Sequence, residues 1–190
     1  MSAAPKVKYL TPEEYLAIER QSEFKSEYID GVVYSMAGGS PEHSLVSANV
    51  TGELHFQLKI SACRVFNSDQ RVRVPSKRKY LYPDVTVVCD QPQFADDEKD
   101  VLLNPLLIVE VLSDSTEKYD RRRKFFYYQE IESFREYLLA DQNSPLIQHF
   151  IKQPDGGWLC TRIEGLDKTI TFSTVNCSIA LSDIYAKVLS

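Results

Sequence analysis

The chain has 190 residues, a mass of 21.8 kDa, 43% hydrophobic and 26% charged residues, and a formal net charge of −5. Such a chain can bury its own core and has the composition of a soluble globular domain, with little room for disorder or a long linker. The acidic balance argues against a protein that coats nucleic acid nonspecifically, although it says nothing about a local basic groove.

The N-terminal stretch lacks a signal-peptide core and no apolar run reaches a membrane span, so a cytoplasmic protein without a membrane partner is expected. Helix α1 is predicted from TPEEYLAIER, where Thr11 supplies an N-cap, Pro12 the first helical position and Glu13 and Glu14 the early acids. SEYIDGVVYSMA predicts a hairpin turning at Asp30-Gly31. A loop, AGGSPEH, leads into a helix from Glu42, in which Val46, Val50, Leu54 and Leu58 form one buried stripe and His43 lies in the first turn.

Three strand-like runs follow: CRVFNSDQRVRVP, KYLYPDVTVVCD and LLIVEVLS. A second long helix is expected through KYDRRRKFFYYQEI, and REYLLADQ reads as a further strand. Aromatics within KFFYYQ have helical spacing, which suits core or subunit contacts. The remainder contains a hairpin at Asp155-Gly156-Gly157, the strand TITFST and a terminal helix LSDIYAKVLS. The expected fold is α/β, a mixed sheet flanked by helices in one domain over 1–190, with a core of about 11–141 and an added C-terminal hairpin and helix over 142–190. Cys63, Cys89, Cys160 and Cys177 form no CxxC pair, so scattered thiols are expected rather than a zinc site or a disulfide framework.

Glu110 stands in the middle of an aliphatic strand, LLIVEVL, where an ionised carboxylate costs several kcal/mol unless it is compensated. Asp84 follows Pro83 at the start of VTVV. If the two strands are neighbours, their carboxylates converge on one end of the sheet and suit magnesium or manganese, which need few protein ligands.

The ordered set YPDV, IVEVLSDST, YDRRRKFFYY and EYLLAD, with EYIDG and His43 upstream, resembles the "putative restriction endonuclease" family of the PD-(D/E)XK nuclease superfamily. The resemblance covers about Thr11 to Asp141 and implies a restriction-endonuclease-like core. It implies that Asp84, Glu110 and the backbone carbonyl of Val111 hold a catalytic magnesium, that Glu27 is a further acid near the site, and that His43 opens the first core helix. The motif's lysine belongs two residues after the glutamate, where this chain has Leu112; Lys124, four residues after Asp120, is the implied substitute.

A metal-dependent endodeoxyribonuclease follows, with His43 as a proton-transfer group kept neutral by the helix N-terminus. A basic groove for DNA is expected from Arg71, Arg73, Lys77, Arg78 and Lys79, and a homodimer suits cleavage of both strands of a duplex. The alternative is a catalytically inactive module for binding nucleic acid or protein that retains the nuclease fold.

Overall fold

The computed structural model describes residues 9–76 and 78–189. Helix α1 (Pro12–Glu19) begins in the expected capping box, with Thr11 and Glu14 each bonding the other's backbone N–H. Strands β1 (Ser26–Ile29) and β2 (Val32–Ser35) form the expected hairpin, and Asp30 and Gly31 both take positive φ at its turn. Helix α2 (Pro41–Leu58) follows, capped by Ser40 and buried along Val46, Val50, Leu54 and Leu58.

Each of the next two strand-like runs is broken in two. The first yields β3 (Arg64–Asn67) and β4 (Arg71–Arg73); the second yields β5 (Lys79–Leu81) and β6 (Val85–Val88). The breaks fall at the Ser68-Asp69 turn and at Pro83, which has no N–H for a ladder. They let the chain cross between two sheets. β7 (Val101–Leu102) precedes the central strand β8 (Leu107–Leu112).

The second long helix is contiguous but irregular: α3 (Glu117–Tyr119), a π-helical turn (Asp120–Lys124) and α4 (Phe125–Tyr128). Then come β9 (Glu136–Asp141), β10 (Leu146–Lys152), β11 (Trp158–Glu164), β12 (Thr169–Phe172), β13 (Cys177–Ala180) and the short α5 (Leu181–Ile184). Among the described residues no helix is long and apolar enough to cross a membrane.

A six-stranded sheet has the order β11-β10-β9-β8-β6-β3, with β8 and β9 parallel and the other neighbours antiparallel. A five-stranded sheet has the order β2-β1-β5-β4-β7. Alternation along β8 divides the core. Leu107, Val109 and Val111 face the α2 stripe, whereas Ile108 and Leu112 face Tyr128, Ile131 and Phe134 and the inner face of the second sheet at Val72, Leu81 and Leu102.

The expected C-terminal hairpin and terminal helix are present, and they are integral to the core. β10 and β11 extend the central sheet, and Ile170, Phe172, Ile179, Leu181 and Ile184 are fully buried in the α2-side core. Strand β13 is an unanticipated element, and it pairs with β12. Its four residues are too few for alternation to stand out in sequence. The terminal helix is correspondingly one turn rather than a long amphipathic segment.

The cysteine expectation fails. Cys63 and Cys89 form a disulfide, because the antiparallel register that pairs Arg64 with Val88 brings the next two residues opposite one another. Chain spacing carries no trace of that pairing; strand register creates it.

One buried acid ties the C-terminal pair to the core. Glu136 opens β9 fully buried and accepts hydrogen bonds from Ser173 N at 2.9 Å, Ser173 Oγ at 2.7 Å and Thr174 N at 3.2 Å, with His149 Nε2 at 3.8 Å. Burial pushes its carboxyl up, but the His149 and Ser173 side chains and the Thr174 amide outweigh burial and hold it below its ordinary 4.5. The ionised carboxylate therefore stabilises the fold above that pH, and the contribution fades as pH falls through the depressed native value. Glu136→Gln should lower stability by about 2 kcal/mol at pH 7, by loss of charge-assisted bonds, and the deficit should shrink below pH 4.5. Urea melts of both proteins at pH 7 and at acid pH measure the difference.

Candidate functional site

Glu110 shares a face of β8 with Ile108 and Leu112, turned away from α2. Asp84 immediately precedes β6, whose Val85 pairs with Val109, so the register sets Asp84 opposite Glu110. Directly opposed residues of antiparallel strands project on the same face. The strand-neighbour condition set by the sequence is met. Both acids line one cleft of about 1470 Å3, together with Glu27, His43, Asp120 and Lys124.

Lys124 is the centre of this group. It is 5% exposed, and its Nζ stands 3.1 Å from Glu27 Oε1, 3.1 Å from Glu110 Oε1 and 3.6 Å from Asp120 Oδ1. Positions 120, 124 and 128 all face inward. A four-residue repeat drifts around a regular α-helix of 3.6 residues per turn, and the wider π-helical turn at Asp120–Lys124 offsets that drift. The helix thus delivers Asp120, Lys124 and Tyr128 to the same carboxylates. Leu112, at the position two after Glu110, is buried against the core and offers nothing to the site.

Two tyrosines that the sequence did not mark complete the inner layer. Tyr128 donates to Glu110 Oε1 at 2.9 Å, and Tyr119 donates to Glu27 Oε2 at 3.1 Å. The Tyr82 amide also donates to Glu27 Oε1 at 3.3 Å. The four-residue step from Asp120 to Lys124 to Tyr128 was the available signal for Tyr128. Tyr119 had no comparable signal, since its contact joins the helix to β1 across 92 residues of chain.

Asp84 is anchored by the Val111 amide, which donates to its Oδ2 at 2.7 Å. His43 Nε2 lies 3.3 Å from the same oxygen. The hydrogen bond with Asp84 raises the imidazole above its ordinary value; burial opposes this, while the Asp84 charge and the Val111 carbonyl assist. The neutral form expected from the helix N-terminus is therefore not favoured: an adjacent carboxylate outweighs a partial charge. Gly39 makes room for this ring, since a Cβ there would stand 2.8 Å from His43 Nδ1.

The charge balance has a clear sign. Burial pushes the Glu110 carboxyl well above its ordinary value; Lys124 pulls it down, but Asp120, Asp84 and Glu27 add to the rise. Burial, opposed by Lys124 and supported by Asp84 and Glu27, also raises Asp120. Burial disfavours the Lys124 ammonium, yet Glu110 and Glu27 outweigh it and hold the group charged. Four carboxylates thus surround one lysine and one histidine, and the surplus negative charge fits a divalent cation. Among the described residues no group of three or more His, Cys, Asp and Glu side chains is placed so as to hold a metal ion. Asp84, Glu110 and the Val111 carbonyl instead suit a hard ion that keeps much of its water.

The expected basic groove needs correction. Arg71 is 5% exposed and ion-paired with Asp100, below the Tyr82 ring. Arg71 and Arg73 do share a strand face, as their alternation with Val72 and Val74 predicts. That face is not open: Arg71 is buried and Arg73 half-buried. Lys79 is buried beside Glu130 and Tyr127, and Arg78 pairs with Asp30. None of these four lines the cleft; Lys77 lies outside the described residues.

Comparisons with known proteins bear on the family and the fold. Two proteins of Synechocystis sp. (strain ATCC 27184 / PCC 6803 / Kazusa), both described as uncharacterized, are similar along nearly their whole length. The protein sll1609 is 36% identical over 91% of this chain and 98% of its own, and slr1290 is 37% identical over 93% and 91%. A crystal structure of a "putative nuclease belonging to DUF820" from Anabaena variabilis superposes with a TM-score of 0.76 at 16% identity, over 95% of this chain and 99% of that one. At that identity the likeness shows the fold, a nuclease-type mixed α/β architecture. The family model Uma2, described as "Putative restriction endonuclease", matches residues 12–182. With that match and two relatives at 36% and 37% identity over nearly their whole length, this chain belongs to the Uma2 family, described as "Putative restriction endonuclease".

Proposed function

We propose that the chain is a magnesium-dependent endonuclease that hydrolyses phosphodiester bonds of DNA. The observation that carries the reading is Lys124 Nζ at 3.1 Å from both Glu110 and Glu27, since it restores a lysine to a motif whose usual lysine position holds Leu112. That reach also favours an active enzyme over a binding module with a vestigial site.

Asp84, Glu110 and the Val111 carbonyl would hold the magnesium, which when bound supplies charge relief on the phosphoryl oxygens and activation of a water nucleophile. The protein's own groups do the rest. The Val111 amide holds Asp84 in one orientation, and Tyr128 holds Glu110. Lys124 lies within reach of the same oxygens and is positioned to orient the attacking water and to stabilise negative charge growing on the phosphate. His43, on the Asp84 side, would serve as the proton-transfer group for the departing oxygen.

Calorimetry with magnesium and manganese tests the metal. Wild type should bind in the micromolar-to-millimolar range, and Asp84→Asn with Glu110→Gln should abolish binding while leaving the fold intact. Wild type that binds neither ion would end the magnesium reading. Cleavage of DNA, offered both as a supercoiled plasmid and as a single-stranded circle, tests the reaction: Lys124→Ala should reduce it about 100-fold or more, in line with loss of an electrostatic stabiliser, with metal affinity retained.

Lys124 also compensates buried charge, so Lys124→Met should cost about 3–5 kcal/mol at pH 8. The sign of its pH dependence is opposite to that of Glu136. Glu110 has a raised native pKa, so the folded state binds more protons than the unfolded one. Stability of the variant should therefore recover as pH is lowered toward the ordinary 4.5 of a glutamate. Urea melts between pH 8 and pH 5.5 read this; a flat profile would remove the buried-charge argument.

A further inference from the structure

The outer part of the same cleft has a composition that the acidic site does not explain. Tyr34 pairs with Glu27 across the β1–β2 hairpin, so its ring projects on the face that carries the Glu27 carboxylate. It is 51% exposed, with Phe24 at 75% and Met36 at 37% beside it on the rim, and all three line the cleft. Met36 is tied to this rim by its amide, which donates to the Lys25 carbonyl at 3.0 Å. From the helix on the opposite side come Tyr127 and the exposed Arg123. Burial raises the Tyr127 hydroxyl; Arg123 lowers it and Tyr34 adds to the rise, as expected of side chains that sense one another's charge. Large apolar rings left in water at the mouth of a polar site cost free energy that a ligand with flat apolar faces would recover.

Electrostatics narrows that ligand. Glu23, Glu27, Asp84, Glu110, Asp114 and Asp120 contribute carboxylates to the lining, against the fixed cations Lys25, Arg123 and Lys124. Lys25 is engaged with Asp69 and Lys124 with the inner acids. A duplex carries a phosphate charge about every 1.7 Å and is bound chiefly through many lysines and arginines, which the described lining does not supply. A single strand has about half that charge density and exposes its bases to stacking, which is worth about 1–3 kcal/mol per base on aromatic side chains.

We infer that the wall formed by Tyr34 and Phe24, with Tyr127 opposite it, stacks unpaired bases, with Arg123 on the backbone phosphate, so that the cleft takes single-stranded rather than duplex nucleic acid. The inference rests on the nuclease reading and names the form of its substrate. Tyr34 is then a specificity-determining residue. It sits one strand away from Glu27 and places the neighbouring nucleotide while the scissile phosphate reaches Asp84 and Glu110.

Fluorescence anisotropy with a labelled 15-nucleotide thymidine strand and a 15-base-pair duplex tests this on the whole chain, with calcium replacing magnesium to keep the strands intact. The single strand should bind about tenfold tighter or better, Tyr34→Ala should weaken it by about tenfold, and Tyr34→Trp should keep it. Because Tyr34 is half exposed, its replacement leaves the core untouched. Duplex binding equal to or tighter than single-strand binding, or a preference unchanged in Tyr34→Ala, would overturn the inference and leave the nuclease reading standing on its metal and cleavage assays. A Tyr34-dependent dimer without strand preference, seen by sedimentation, would overturn it by assigning the wall to a second copy. Binding of neither strand would overturn it and would count against the nuclease reading as well.

Discussion

A buried ammonium among carboxylates organises this protein. Lys124 reaches Glu27 from the five-stranded sheet and Glu110 from the six-stranded sheet, each at 3.1 Å. It is the charged link between the two layers and it comes from the helix packed between them. Removing such a charge leaves several acids in a low-dielectric interior, which is far more costly than losing a surface ion pair. Structure and proposed chemistry depend on the same atom, and the surrounding elements serve to aim it: the π-helical turn, the strand pair β6–β8 and the hairpin that carries Glu27.

The electrostatic asymmetry of the cleft connects that interaction to function. Lys124 and His43 do not balance the acids, and the Glu110 and Asp120 carboxyls are raised in consequence of their burial and of one another's charge. Basic side chains that might have formed a DNA groove are instead consumed internally. Asp100 holds Arg71 and, with Asp96, Arg20, which joins the segment before β7 to α1 and β4. The protein spends those arginines on cohesion between its N-terminal layer and the loop before β7. At the cleft mouth the exposed rings of Phe24 and Tyr34 remain, with Arg123 exposed on the helix opposite.

Stability is distributed unequally around this centre. The α2 side of the central sheet is a conventional aliphatic core, closed by β12, β13 and α5 and pinned through Glu136. The opposite side mixes the aromatic residues Tyr128, Phe134 and Tyr137 with the buried charges. Polar tips of tyrosines bridge the two environments, because a phenol can pack its ring in the core while donating to Glu110 or Glu27. The rigid aliphatic half carries the polar half, as a site whose side chains must hold their positions requires.

Local features were legible from residue order alone. The cap at Thr11, the Asp30-Gly31 turn, the α2 stripe and an anomalous Glu110 within LLIVEVL all express rules that act over a few residues, and the ordered motifs pointed to the family that the whole-length comparison establishes. The wide helical turn, the partition of two strand-like runs between two sheets, the Cys63–Cys89 pairing and the burial of Arg71 depend on contacts between distant segments. Sequence determined which side chains could carry charge, metal or rings; tertiary structure decided which of them meet. The physical reason is range: capping, turn geometry and periodicity are set by neighbouring residues, whereas strand register and the fate of a buried charge are set by whatever the rest of the chain packs against them.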